Sequence, residues 1–239
     1  MKCSSCLLSV AATLLLAAPA MPFCQVPQPR LVCAEYFASE LVIEASLVQT
    51  SIVSDKDDPE GISAHIYTLR VDEVLRGKAV DKIRVYEGND SGRATFDWVP
   101  ERQYLLFLLG SDKDGWRLDG CGNSGPLNRA KTALSEIDSI KTARDGGTIQ
   151  GVVSSQALSD FVSGVHVEAQ GATGRYEATT NEKGEFQIRV PTGRYSVRAI
   201  ETGRSFGEAD FSYEDPRQLQ IEPGGCAQVQ LAELRATAR

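Results

Sequence analysis

Between Cys33 and Cys121 the chain runs through strand after strand with turn signals between them, and closes on CGNSGPL, which leads into a helix. A cysteine-bounded stretch of this kind predicts an all-β unit pinned by disulfides, with its first helix after the strands. LVIEASLV at Leu41–Val48 reads as a strand, and the polar run 54–61 as a loop. A longer strand is expected over 62–75, where Tyr67, Leu69 and Val71 alternate, and a third around Ile83 and Val85. The continuous apolar run YLLFLL, Tyr104–Leu109, predicts a central strand. Asp114-Gly115 marks a hairpin before Trp116. Pro126 fits the first turn of a helix, whose apolar face would hold Leu127, Ala130, Leu134, Ile137 and Ile140. Gly146-Gly147 then stops it, with few contacts expected across that junction.

Residues 1–20, MKCSSCLLSVAATLLLAAPA, read as a secretory signal peptide. Lys2 supplies the positive start, Leu7–Leu16 a core too short to span a bilayer, and Ala18-Pro19-Ala20 a small-x-small cleavage site. The expected mature chain is secreted or periplasmic and has no membrane span. It keeps Cys24, Cys33, Cys121 and Cys226, an even set in an oxidising compartment, so disulfides are expected. Four cysteines allow three pairings, and spacing does not choose among them. The 239 residues carry a net charge of −7, and losing the leader removes Lys2 and no acid. Neither half is basic, which argues against nucleic acid or an anionic membrane surface as a partner.

From Thr148 onward the texture changes to seven short strands: TIQGVV, VHVEAQ, RYEATT, EFQIRV, RYSVRAI, EADFSY and QVQLAEL. Turns at Asn181–Gly184, Pro191-Thr192-Gly193 and Pro223-Gly224-Gly225 separate several of them. Strands of this length without helices predict a β-sandwich. Two units follow, 21–146 and 147–239, and the second is expected to fold without the first.

Two resemblances join this reading. Cys33, the strand LVIEASLV, YTLRVDEVLRG, QYLLFLL, DGWRLDGC and CGNSGPL before a helix together resemble the netrin-like module of tissue inhibitors of metalloproteinases, over about residues 31–144. GTIQGVV, VSGVHVEAQ, TTNEKGEFQIRV and PTGRYSVRAI resemble the carboxypeptidase regulatory-like sandwich, which also occurs in bacterial surface proteins. The implied fold is mainly β: an OB-like barrel with a C-terminal helix, then a seven-stranded Ig/transthyretin-like sandwich. The first resemblance implies a Cys33–Cys121 disulfide and leaves Cys24 and Cys226 free to pair. The second implies Gly184 at a positive-φ turn position, with Phe186 and Tyr195 as core aromatics.

The first family also implies an inhibitor mechanism, in which a mature N-terminal cysteine chelates the zinc of a metalloprotease. In CQVPQPRLVC the two cysteines lie far apart, and the expected cleavage leaves Met21-Pro22-Phe23 ahead of Cys24. An acylated amine is a poor zinc ligand, so inhibition through Cys24 requires cleavage after Phe23. Some adhesin relatives of the second family form Lys–Asn isopeptide bonds. Here Thr148–Ser155 contain no lysine, so no such bond is expected.

Catalytic signals are sparse. His65 and His166 sit in strand-like runs and read as ordinary strand side chains rather than zinc ligands. Asp112–Gly115 starts like a calcium loop but lacks its later oxygen ligands, and reads as a hairpin turn. Asp55, Asp57, Asp58 and Glu60 read as a solvated loop. Trp116 is expected in the barrel core. The sequence therefore predicts a bacterial, non-enzymatic binding protein with a protein or cell-surface partner, without metal or cofactor. Two alternatives stand beside it: a metalloprotease inhibitor acting through Cys24, and an enzyme with an unrecognised carboxylate site.

Overall fold

The apolar run at 104–109 lies in a strand that is buried on both faces over most of its length. The computed structural model describes residues 29–58, 61–89, 94, 96–155, 160–210 and 212–234, so the signal peptide and Cys24 lie outside the described residues. Helix α1 (Val32–Ala38) precedes strands β1 (Leu41–Ser54), β2 (Ile62–Arg76), β3 (Lys82–Gly88), β4 (Gln103–Ser111), β5 (Gly115–Leu118) and β6 (Gly125–Pro126). β1 pairs with both β2 and β4, and β3 pairs with β5 in parallel. The order β1-β2-β3-β5-β4-β1 thus closes an OB-like barrel. Register shifts in β1 at Val42/Ile43 and Glu44/Ala45 bend it enough to serve two neighbours.

Alternation along β1 and β4 explains the double burial. Leu41, Ile43, Ala45 and Leu47 point inward with Tyr104, Leu106, Leu108 and Trp116. Val42, Leu105 and Phe107 face outward against α1 and the later helix. Phe96–Val99, ahead of β4, plug one end of the barrel. Trp98 stacks on Tyr67 at 4.4 Å and lies 4.8 Å from Tyr104, while Phe96 lies 5.4 Å from Tyr104. The Tyr104 hydroxyl accepts from the Val99 N–H at 2.6 Å and donates to the Asp97 carbonyl at 3.1 Å.

After β6 comes a 3-10 turn at Leu127–Arg129, and α2 (Lys131–Thr142) follows. Leu127 and Ala130 therefore sit ahead of the α-helix rather than on it. Ala133, Ile137 and Ile140 form its buried face. Among the described residues the first helix is α1, so the unit is not all-β before α2. Its seven residues, VCAEYFA, are too few to show a helical period.

The second half forms two four-stranded sheets. β7 (Gly147–Ser154), β10 (Glu185–Val190), β12 (Phe206–Glu208) and β14 (Cys226–Glu233) make one, in the order β10-β7-β14-β12. β8 (His166–Gly171), β9 (Gly174–Thr179), β11 (Gly193–Ile200) and β13 (Leu219–Ile221) make the other, in the order β13-β11-β8-β9. Among the described residues the sandwich thus has eight strands rather than seven. β13 had no sequence signal, and β12 lies at 206–208 rather than within EADFSY. Phe186 and Tyr195 are core residues, as expected.

Gly184 has φ +69°, and a Cβ there would come within 2.6 Å of the Val153 carbonyl oxygen and 2.9 Å of the Phe161 Cβ. Gly184→Val therefore combines backbone strain with a clash against a neighbouring segment. A loss of about 3 kcal/mol is expected, read as the shift of the urea midpoint. A midpoint equal to that of the unsubstituted protein would contradict this turn geometry.

Candidate functional site

Two outward-facing residues of β14, Cys226 and Gln228, meet the segment that enters the barrel. Cys33 in α1 is disulfide-bonded to Cys226, with Cα atoms 5.4 Å apart. The Gln228 amide donates to the Pro29 carbonyl and accepts from the Leu31 N–H, both at 2.8 Å. The side chain of Gln228 thus stands in for a strand neighbour. Gly224 donates to the Gly146 carbonyl at 2.8 Å and packs on α2 at Ile140 and Ala143, while Phe37 lies against Gly225. The seam between the halves is therefore extensive, contrary to the sparse junction expected.

The Cys33–Cys121 pairing is overturned by the same contact. Cys33 leaves the barrel on α1 and reaches the outer face of the sandwich, where Cys226 begins β14. Cys121 is also disulfide-bonded, to a residue outside the described set.

A buried polar cluster sits at this seam. Arg30 Nη1 pairs with Asp119 at 2.7 Å, and the guanidinium stacks 5.1 Å from the centre of the Tyr213 ring. Glu35, 1% exposed, accepts from the Asn123 N–H at 2.6 Å and its side-chain amide at 2.7 Å through the same oxygen, Oε2. Gly122 lets the backbone pack onto that carboxyl, since a Cβ there would collide with it. Arg30 Nε, Glu35 Oε1, the Tyr213 hydroxyl and Gln230 Nε2 are buried without a hydrogen-bond partner. Burial raises Glu35 above the usual carboxylate range against the opposing pull of Asn123 and Arg30. It also pushes Glu214 up to about 7 and Tyr213 up to about 12. Glu214 lines a cleft of about 340 Å³ with Arg76, Asp215, Gln220 and Glu222.

A second feature lies at the other end of the barrel. β1 and β2 continue as an arm, with β1 paired to β4 only through Leu41–Ser46. Beyond Leu47, among the described residues, the far edge of β1 pairs with no strand. Val48–Ser54 are all exposed, with Val48 at 51% and Ile52 at 53%. Ser46–Ser54 contain no charged residue and no proline.

The other singled-out residues have ordinary settings. His65 lies 6.1 Å from Tyr67 in a ring stack. His166, Glu168 and Glu177 bring ligand atoms within 4.8 Å of one another. However, Arg198 and Arg175 clamp the Glu168 carboxylate at 2.7 and 3.2 Å, which supplies the positive charge that a metal would bring. Asp112 accepts from Trp116 Nε1 at 2.8 Å within the β4–β5 hairpin. Asp55 accepts from the Asp57 N–H at 2.9 Å, and Glu60 lies outside the described residues.

Arg30, Glu35, Tyr213, Glu214 and Gln228 were missed in the sequence reading. Two faint signals existed: a lone acid in the apolar run VCAEYFA, and glutamines alternating with apolar residues in QVQLAEL.

No curated protein matches the chain. Among solved structures, similarity extends to the Bacillus anthracis TIE protein, at 12% identity and TM-score 0.28, over 80% of this chain and 31% of that one. It extends also to GBS52, the minor pilin of Streptococcus agalactiae, at 12% identity and TM-score 0.30, over 84% and 87%. The C-terminal fragment of the pilus adhesin SpaC from Lactobacillus rhamnosus GG shares 9% identity at TM-score 0.25, over 88% and 94%. The chain thus spans about a third of the length of the TIE protein. At residues 148–232 the sequence matches the carboxypeptidase regulatory-like domain.

Proposed function

We propose that this chain is an exported, non-enzymatic binding protein, with a netrin-like barrel over 21–146 and a carboxypeptidase regulatory-like sandwich over 147–239. It recognises a protein or cell-surface ligand through the open edge of β1. The observation that carries this reading is the arm. Natural edge strands are guarded by charge, proline or cover, whereas Val48–Ser54 is exposed and uncharged and, among the described residues, pairs on one side only. Such an edge accepts an added strand from a partner through backbone hydrogen bonds, with alternate side chains supplying selectivity. The disulfides at Cys33, Cys226 and Cys121 support an oxidising compartment.

One observation favours an enzyme as a second reading: Glu214, raised to about 7, lines a cleft and has the pKa of a general acid or base. A panel of ester, peptide and glycoside reporters separates the two readings, run beside metalloprotease titrations with natively processed protein and with protein engineered to begin at Cys24. The expected result is no turnover and no inhibition by the native form. Turnover abolished by Glu214→Gln would establish the enzyme, and tight inhibition by the native form would establish the Cys24 mechanism.

A further inference from the structure

The seam between barrel and sandwich gathers three acids, Glu35, Asp119 and Glu214, around Arg30, and Glu35 among them is fully buried. Arg30 reaches it from the entering segment, with one guanidinium nitrogen committed to Asp119. Glu35 faces Arg30 and Asp119, and the Asn123 amides occupy only one of its oxygens. Glu214 faces Arg30 and receives a long 3.4 Å contact from the Gln228 N–H. On its cleft side stand Arg76, Asp215 and Glu222. Arg76 is partly engaged there, since it donates to the Ser39 and Phe37 carbonyls at 3.2 and 3.3 Å. Tyr213 adds a hydroxyl that burial keeps protonated.

We propose that this seam is a pH-responsive latch, closed when Glu35 and Glu214 are protonated and loosened when they ionise. Ionisation adds two negative charges around Arg30, which already serves Asp119, while Arg76 on the cleft side donates to two backbone carbonyls. It also leaves Glu35 Oε1 as a buried anionic oxygen without a donor, and burying an unpaired charge is far costlier than burying a neutral carboxyl. Relief comes from admitting water, which means lifting Pro29–Leu31 away from Gln228. The Cys33–Cys226 bond limits that movement to an opening and prevents separation.

The direction follows from the raised values. A carboxyl whose folded pKa lies above its unfolded one stabilises the closed form at low pH, and that advantage is lost as pH rises through the folded value. For Glu214 the window runs from the ordinary glutamate value of 4.5 up to about 7. Glu35 shifts in the same direction. An exported protein that meets changing external pH would therefore hold its halves rigidly in acid and loosely near neutrality.

The test is amide hydrogen exchange on the full, disulfide-intact chain at pH 5 and pH 8, corrected for intrinsic rates. The reporters are the Leu31 N–H, held by Gln228, and the Asn123 N–H, held by Glu35. The Val153 and Thr180 N–H groups, held by the Gly184 and Val165 carbonyls within the sandwich, serve as controls. Protection of the seam amides is expected to fall at least ~10-fold from pH 5 to pH 8, equivalent to one pKa unit, with the controls unchanged. Glu214→Gln should remove most of that fall, and Glu35→Gln/Glu214→Gln all of it. If the double variant does not fold, Glu214→Gln alone decides. Equal protection at both pH values, the same fall in Glu214→Gln, or a matching fall in the controls would each overturn the latch.

Discussion

The Cys33→Ser/Cys226→Ser variant is expected to lose about 2–5 kcal/mol of stability, the range for removing a native disulfide. For a chain of this size that corresponds to a melting temperature lower by roughly 5–15 °C. The bond joins residues 193 apart, and a crosslink over so long a loop removes much freedom from the unfolded chain. Its loss also has a local effect. Gln228, with its two 2.8 Å bonds to Pro29 and Leu31, would become the main tie between the entering segment and β14. Calorimetry on the oxidised variant should show a lower and broader transition, because barrel and sandwich lose their covalent coupling at the seam. A melting temperature within a degree of the parent would mean that the Cys33–Cys226 bond contributes nothing. Non-reducing peptide mapping of the parent checks the connectivity itself, and a Cys33–Cys121 peptide would contradict the structure.

Tyr104→Ala is expected to cost about 3–5 kcal/mol, as for other large aromatic truncations in a core. Tyr104 is fully buried, and its hydroxyl is hydrogen-bonded to the backbone at Asp97 and Val99. The substitution leaves a void where Trp98 and Phe96 rest and frees the segment that plugs the barrel. Tyr104→Phe separates the two contributions. It keeps the ring contacts, leaves the Val99 N–H without an acceptor, and should cost only about 1–2 kcal/mol. Urea unfolding followed by tryptophan fluorescence reports on both variants, because Trp98 stands 4.8 Å from the substituted ring. Equal losses for the two variants would mean that the hydroxyl, and not the packing, holds the plug.

The parts of this structure legible in the sequence are those in which burial follows a short period. YLLFLL announced a strand covered on both faces, and the helix at Lys131–Thr142 showed through Ile137 and Ile140. Gly184 and Asp114-Gly115 marked turns by the backbone chemistry they need. The missed elements lack such a period. VCAEYFA spans less than two helical turns, and β13 is three residues long. The seam had no local signature, because Gln228 meets Pro29 across 199 positions and a glutamine in a strand normally reads as solvent-facing. The disulfide was misassigned for a related reason. The strands between Cys33 and Cys121 suggested a bond within the barrel, while α1 carries Cys33 out of the barrel to the sandwich. The open edge of β1 was readable only in part: its strand ended at Val48 in the sequence reading, whereas the structure extends it to Ser54.

Recognition through that edge is the central claim, and a peptide-display selection against the full-length, oxidised protein tests it most directly. Enriched peptides are compared for binding to the parent and to Val48→Lys/Ile52→Lys. Both positions are about half exposed, so the lysines leave the fold intact while placing charge where an added strand would lie. The account predicts extended, β-branched peptides that bind the parent and lose about tenfold or more in affinity, some 1.4 kcal/mol, against the lysine variant. Peptides that bind both proteins equally, or that protect residues of the sandwich and leave Val48–Ser54 open to exchange, would contradict it.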